Sequence, residues 1–363
     1  MAEQAARKVP QIRFKGFDGE WAEKELGDLI GLGSGRDYKH LSTGDIPVYG
    51  TGGYMLSVSE ALSPNMDAVG IGRKGTIDKP YILRAPFWTV DTLFYAIPKL
   101  GHHLNFLYCI FQRIDWKQRD ESTGVPSLSK VAINGVDVLS TNPSEQTQIG
   151  KYFRGLDSLI GLHQRKHDKL VTLKKAMLQK MFPQPGATTP EIRFKGFEGD
   201  WVEKPLGELI DLGSGRDYKH LSPGKIPVYG TGGYMLSVND SLSNSVDAVG
   251  IGRKGTIDKP YVLKAPFWTV DTLFYAIPKT ENYLDFIYCI FQQIDWKQKD
   301  ESTGVPSLSK VAVNGVGVFS TSPQEQKKIG TYFRTLDALI SQHTTQLQKL
   351  QQLKSACLEK MFV

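Results

Sequence analysis

Two kinds of hydrophobic pattern alternate along the chain. Short runs of β-branched and aromatic residues, at 46–50, 81–83 and 87–90, are separated by Gly, Pro and Asp, the pattern of brief strands and tight turns. Residues 104–114 instead repeat apolar side chains at helical spacing and predict a helix. A longer stripe follows, with Ile149, Tyr152, Leu156, Leu159, His163, Leu170, Leu173 and Met177 on a heptad seam. It starts just after Asn142-Pro143-Ser144-Glu145, a helix start in which cap residue and glutamate are expected to satisfy each other's amides. A helix of about 38 residues, rising about 1.5 Å per residue, is about 57 Å long. That is too long for a small domain to bury, yet only one of its stripes is apolar.

The whole pattern then begins again. Residues 11–182 align without a gap with residues 191–362, each position recurring 180 residues later, and roughly three quarters of the positions are identical. The second helix starts at Ser322-Pro323-Gln324-Glu325, and its seam reads Ile329, Tyr332, Leu336, Leu339, His343, Leu350, Leu353 and Cys357. Two such helices in one chain predict a coiled coil, with His163 and His343 as polar pins of its register. The expected fold class is α+β, with two repeated domains built on bent β-sheets and separated by long helices. The boundaries read as a first domain at 1–141, a helical spacer at 142–182, a Pro/Gly linker at 183–190, a second domain at 191–321 and a second spacer at 322–363.

Composition adds a modest bias. The 363 residues carry a formal net charge of +6, which leans toward an anionic partner. Three cysteines, Cys109, Cys289 and Cys357, have no metal-ligand spacing, and the first two fall inside apolar segments, as inert buried thiols do in a reducing compartment. The N-terminal stretch MAEQAARKVPQ lacks the apolar core of a signal peptide, and no run is long and apolar enough to span a membrane, so a cytoplasmic protein without membrane contact is expected.

Candidate chemistry narrows the choice further. Residues 69–80, VGIGRKGTIDKP, contain a G-x-G-x-x-G pattern and recur letter for letter at 249–260. A dinucleotide loop needs a helix opening directly after the glycines, but a proline and β-branched residues follow here. His102-His103 resembles a metal pair, but Asn282-Tyr283 stands in its place in the second copy, and no metal is expected. Duplicated carboxylates (Asp67/Asp247, Asp78/Asp258, Asp91/Asp271, Glu121/Glu301) have no duplicated histidine at a spacing for acid–base work, so no catalytic residue is assigned.

What does recur is glycine-rich, cationic and hydroxyl-bearing loop sequence. In the first copy it supplies Ser34, Arg36, Tyr38, Lys39, His40, Thr51, Tyr54, Arg73, Lys74, Thr76, Thr123, Ser127 and Lys130. In the second it supplies Ser214, Arg216, Tyr218, Lys219, His220, Thr231, Tyr234, Arg253, Lys254, Thr256, Thr303, Ser307 and Lys310. Arginine and lysine grip phosphates or read guanine edges, and hydroxyls and glycine amides take phosphate oxygens at close range. Taken singly each loop could be a solvated turn; four in one small domain, all duplicated, point to a nucleic acid, which the resemblance below narrows to double-stranded DNA.

The order of segments resembles the specificity (S) subunit of type I restriction-modification systems. The matching pieces are Ile12-Arg13-Phe14-Lys15-Gly16-Phe17 with Trp21, Ile46-Pro47-Val48-Tyr49-Gly50, Gly72-Arg73-Lys74-Gly75-Thr76 and Pro126-Ser127-Leu128-Ser129. Glu145-Gln146 with Ile149, Leu156-Asp157 with Ile160 and Leu178-Gln179-Lys180-Met181-Phe182 complete the set, which recurs through Leu358-Glu359-Lys360-Met361-Phe362. The resemblance implies two target-recognition domains, each reading half of a split DNA site, separated by helices that pack as an antiparallel coiled coil, set the half-site spacing and dock two modification (methyltransferase) subunits. It implies restriction/translocase subunits as further partners, no catalysis and no cofactor in this chain, and S-adenosylmethionine, ATP and Mg used in the partner subunits.

In most such subunits the two recognition domains differ, whereas here the DNA-facing loops are identical or nearly so. Equal readers related by a pseudo-two-fold axis imply an interrupted palindrome. The copies differ most at 61–66 versus 241–246 and 101–105 versus 281–285, which are expected to lie away from the bases. Two rival readings remain, a stand-alone nucleotide-dependent or DNA-modifying enzyme and a coiled-coil scaffold that does not bind DNA.

Overall fold

A computed structural model describes residues 8–363. Most of the N-terminal stretch tested for a targeting signal, and the first residues of the 1–141 domain, lie outside the described residues. The first repeat runs β1 (Ala22–Glu25), α1 (Leu26–Leu29), β2 (Ile30–Ser34), β3 (Thr43–Gly50), β4 (Gly53–Val58), β5 (Ala68–Gly72), β6 (Tyr81–Leu83), β7 (Trp88–Thr89), β8 (Leu93–Pro98), α2 (Leu104–Arg113), α3 (Lys130–Asn134), β9 (Asp137–Ser140) and α4 (Pro143–Lys180). The second repeats that order as β10 (Val202–Pro205), α5 (Leu206–Leu209), β11 (Ile210–Ser214), β12 (Pro223–Gly230), β13 (Gly233–Val238), β14 (Ala248–Gly252), β15 (Tyr261–Leu263), β16 (Trp268–Thr269), β17 (Leu273–Pro278), α6 (Leu284–Gln293), α7 (Lys310–Asn314), β18 (Gly317–Ser320) and α8 (Pro323–Lys360).

In each repeat the strands are divided among three small sheets, where the hydrophobic pattern alone suggested one bent sheet. In the first they are ordered β2-β8-β5-β6, β4-β3-β7 and β1-β9. The hairpin β3–β4 slips register between Thr43 and Ile46 and again at Val48/Tyr49, which bends the ribbon. Helix α2 buries Phe106, Leu107, Cys109, Ile110 and Phe111, the apolar face expected at 104–114. Burial pushes the Cys109 and Cys289 thiols well above the usual range, which keeps them protonated and unreactive. No helix among the described residues is long and apolar enough to cross a membrane.

The compact units do not follow the repeats. One comprises Met1–Gln164 with Thr345–Val363, the other Arg165–Thr344, so each long helix is cut near its middle. Within the first unit, the N-terminal half of α4 lies antiparallel to the C-terminal half of α8. Tyr152 Oη meets Cys357 Sγ at 3.4 Å, and Lys354 Nζ reaches Asp157 at 2.7 Å. The second unit pairs the other halves in the same sense, with Lys174 Nζ on Asp337 and on the Gln292 side-chain oxygen, each at 2.6 Å.

The heptad register differs from the sequence reading in a systematic way. The covered positions in the first unit are Ile149, Phe153, Leu156, Ile160 and His163 with Leu347, Leu350, Lys354, Cys357 and Met361. In the second they are His167, Leu170, Lys174, Met177 and Met181 with Ile329, Phe333, Leu336, Ile340 and His343. These sets keep the seam places of Leu156, His163, Leu170, Leu336, His343 and Leu350. They correct four others: Leu159, Leu173, Leu339 and Leu353 are exposed large hydrophobics. At 173/174 and 353/354 the seam position belongs to a lysine, which hydrophobicity alone passes over; its stem is covered and its ammonium is held by an aspartate across the seam.

The helix start needs a correction too. The Glu145 amide donates to the Asn142 side chain at 2.9 Å, as the cap requires. The Glu145 carboxylate, however, does not reach back to the cap. It is fully buried, takes Arg13 through two bonds of 2.7 and 2.8 Å and accepts from the Thr141 hydroxyl. Glu325 does the same with Arg193 and Thr321. A bidentate guanidinium–carboxylate pair is worth more than an exposed capping bond, so the tertiary partner takes the side chain.

Each unit's core is closed by a Met-Phe pair that comes from the other repeat's helix. Phe362 stacks on Phe106 at 5.4 Å and meets Trp21 edge-on at 5.6 Å, while the Ile12 amide donates to the Lys360 carbonyl. Phe182 stacks on Phe286 and meets Trp201, both at 5.5 Å, while the Ile192 amide donates to the Lys180 carbonyl.

Phe362→Ala should therefore cost about 3–5 kcal/mol in the first unit. Hydrogen exchange should show lost protection around Trp21 and Phe106 with the second unit unchanged, and Phe182→Ala should show the reverse. A fragment of residues 1–182 should dimerise, each copy completing the other's core; a well-folded monomer by light scattering would refute this exchange.

Candidate nucleic-acid interface

The duplicated glycine-rich stretch sits at a fold-back between sheet and loop. Strand β5 is buried along its whole length and ends at Gly72, where an added Cβ would lie 1.9 Å from the Thr76 carbonyl oxygen. Gly75 has φ +92°, a conformation glycine adopts without steric cost. The chain thus turns sharply out of the strand, and no helix follows. Its backbone is tied on two sides. The Arg73 amide donates to the Thr92 carbonyl at 2.8 Å, the Gly75 amide to the Pro126 carbonyl at 2.8 Å, and the Leu128 amide to the Arg73 carbonyl at 2.9 Å.

These ties line up an open cleft of about 520 Å³ whose walls include Ser34, Arg73, Lys74, Phe94, Glu121, Ser127 and Lys130. Its counterpart in the second unit is about 640 Å³ and includes Ser214, Arg253, Lys254, Phe274, Glu301, Ser307 and Lys310. In each copy the cleft therefore gathers five of the residues expected on DNA from three separate loops. Arg73 is oriented within it, its guanidinium 5.8 Å from the Phe94 ring centroid and donating to the Asp91 carbonyl at 3.4 Å. Arg253 repeats this over Phe274 and Asp271.

The other expected residues lie outside the cleft lining. Arg36 and Lys39 are exposed on a loop whose backbone is fixed by bonds from the Arg36 amide to Thr89 and from the Trp88 indole to the Arg36 carbonyl. Gly35 permits this approach, since a Cβ there would lie 1.9 Å from the Val90 carbonyl oxygen. Tyr38 packs against the small core of Val48, Val58, Trp88 and Val90, and the His40 ring stands edge-on to Trp88 at 6.0 Å. Thr51 sits in the turn of the β3–β4 hairpin, and Tyr54, on β4 just after it and paired with Tyr49, is 63% exposed. Thr76 is half-buried behind the turn and Thr123 is exposed on the loop after Asp120. Arg216, Tyr218, Lys219, His220, Thr231, Tyr234, Thr256 and Thr303 occupy the same places in the second copy. Segments 61–66 and 101–105, where the copies differ, contribute nothing to the lining.

Sequence reasoning missed the residues that hold the loop in shape. Asp120 accepts from the Ser122 amide and hydroxyl and from the Ser127 amide, at 3.0, 2.8 and 2.9 Å, and Asp300 does the same. The Asp-x-Ser spacing before a glycine and proline is the available signal for such a turn. Bonds from the Ser127 and Ser122 amides hold the Asp120 carboxyl below its ordinary range. Phe94 also went unassigned, being one apolar position in a strand.

The remaining candidates have structural partners. Asp67 pairs with Arg84 and accepts from the Ala85 amide, and Asp78 pairs with Lys117 at 2.9 Å, an ion pair that holds its carboxyl low. His102 shares a contact with the Gln146 side-chain amide at 3.2 Å, and burial lowers the pKa of both His102 and His103.

With this geometry in place, comparison with known proteins decides the family. The model of the type I restriction modification DNA specificity domain matches residues 18–172 and again 198–352. The chain belongs to this family and carries its domain twice. A curated relative, the type I restriction enzyme MjaVIII specificity subunit of Methanocaldococcus jannaschii, is 28% identical over 112 residues, 29% of this chain. The chain spans about a quarter of the length of that relative, 25%. In fold, the crystal structure of a type I restriction-modification system S subunit from M. genitalium is similar at a TM-score of 0.80 and 18% identity, over 98% of this chain and 99% of that one.

Each specificity domain thus holds its cleft through the Asp120 or Asp300 turn. A carboxyl whose pKa is lowered by folding stabilises above its unfolded value, near 4, and that contribution is lost as pH falls through the lowered value. Asp120→Asn should speed amide exchange at Ser122 and Ser127 at neutral pH, and the wild type should approach that behaviour only in acid, below pH ~4. Equal exchange in variant and wild type at pH 7 would remove Asp120 from this role.

Proposed function

We propose that this chain is the non-catalytic sequence-specificity subunit of a type I restriction-modification complex, each domain reading one half of a bipartite DNA site. The observation that carries the proposal is the pair of matching basic clefts in a chain that belongs to the specificity family. Arg73, Lys74 and Lys130 in one cleft, and Arg253, Lys254 and Lys310 in the other, give the charge to hold a phosphate-lined duplex, and Ser34 and Ser127, or Ser214 and Ser307, supply short hydroxyls for phosphate oxygens. The long helices act as the spacer between half-sites and as the docking surface for two methyltransferase subunits. Their exposed leucines, Leu159, Leu173, Leu339 and Leu353, suit such a surface. Restriction/translocase subunits join through that assembly, and S-adenosylmethionine, ATP and Mg are used in the partner subunits.

Because the cleft residues are the same in both domains, the half-sites are proposed to be the same. Equal readers facing opposite strands call for one short sequence on each strand, an interrupted palindrome. Methylome sequencing of a host expressing this chain with its methyltransferase partner should return such a motif with an unspecified spacer. Two unrelated half-sites would overturn the palindrome, and absence of any methylated motif would overturn the assignment as specificity subunit.

A further inference from the structure

We infer that Glu121 and Glu301 are base-reading residues, each acting with Arg73 or Arg253 on a G·C base pair in its half-site; this rests on the DNA-recognition reading above. A carboxylate is electrostatically misplaced in a cleft made only for phosphates. Glu121 nevertheless lines the cleft beside Arg73, Lys74 and Lys130, and among the described residues it makes no ion pair with any of them. Its backbone is fixed, because its amide donates to the Ser127 carbonyl at 3.1 Å and the preceding Asp120 gathers the amides of the same turn. The side chain is exposed on that fixed backbone. Glu301 repeats each of these features, with its amide on Ser307 at 3.2 Å.

In duplex DNA a carboxylate is repelled by the phosphate backbone and finds donors only on base edges. The N4 amine of cytosine in the major groove is the one it matches. Arg73 supplies the complementary half. A guanidinium has five N–H donors in a planar fork, and among the described residues one of them is engaged, on the Asp91 carbonyl. The Phe94 ring centroid lies 5.8 Å from it, and the remaining donors can meet guanine O6 and N7 together. Lys74 and Lys130 are point charges without such a fork and are assigned to phosphates. Arginine on guanine and glutamate on cytosine thus form one reader of G·C, present twice in the chain.

The test uses the full chain assembled with its methyltransferase subunits. Glu121→Gln with Glu301→Gln is compared with Lys74→Ala plus Lys254→Ala, reading both the methylated motif and equilibrium binding to a library of site variants at two salt concentrations. Glutamine keeps size and shape, so folding is preserved. The glutamate pair should lose ~10- to 100-fold discrimination at one C position in each half-site. The lysine pair should keep the motif, weaken all sequences together and lower the salt slope by about one for each lysine replaced. A glutamate variant that binds every sequence more tightly with the motif intact would show that the carboxylate only tempers the local charge, and would overturn the inference. An unchanged motif with unchanged affinity would overturn it too. A wild-type complex with no sequence preference would overturn the DNA-recognition reading itself, whatever the variants do.

Discussion

Each specificity domain depends on a helix end it does not encode in its own repeat. Trp21 and Phe106 are closed over by Phe362, and Trp201 and Phe286 by Phe182. Without that ring the largest buried aromatics of each unit would lose one wall, and a core of this density tolerates such a gap poorly. The long helices therefore do more than follow each domain. Their N-terminal halves belong to the core beneath them through Ile149, Phe153 and Leu156, and their C-terminal halves complete the core of the other repeat. The buried Arg13–Glu145 and Arg193–Glu325 pairs tie the segment that opens each repeat to the first turn of its helix.

On this frame the cleft is assembled from loops that are far apart in the chain. Ser34 ends a strand, Arg73 and Lys74 turn out of another, and Ser127 and Lys130 flank the start of a short helix. The loops keep their shape through backbone bonds between them and through Asp120, so the exposed side chains stand on rigid supports. Such preorganisation lowers the ordering entropy that a mobile loop would lose on binding. The segments that differ between the repeats lie outside this assembly, which is why divergence there leaves the two clefts alike.

Much of this was legible in residue order. The repeat, the α2 helix, the helix starts at Pro143 and Pro323 and the fold-back at Gly72 follow from periodicity, proline placement and the absence of a helix after the glycines. The seam was legible only in part. Hydrophobicity favoured Leu173 and Leu353, while the register buries the stems of Lys174 and Lys354, whose ammonium groups find aspartates across the seam. A pattern based on apolarity cannot see an ion pair whose partner is more than a hundred residues away. The same limit hid the true partner of Glu145, which a local rule assigned to its own helix cap.

Four cationic, hydroxyl-bearing loops were visible in the sequence, but nothing local distinguished the loop that joins Arg73 to Ser127 from those that carry Tyr38 or Tyr54. That distinction is made by backbone bonds bridging residues some fifty positions apart, from Gly75 to Pro126 and from Leu128 to Arg73. By itself the sequence determined that there are two nearly identical domains, each followed by a long helix, because duplication and periodicity are properties of residue order. Only the tertiary structure decided which residues share a cleft and which helix half closes which core. Both are long-range pairings, selected by packing and hydrogen bonding rather than by neighbours in the chain.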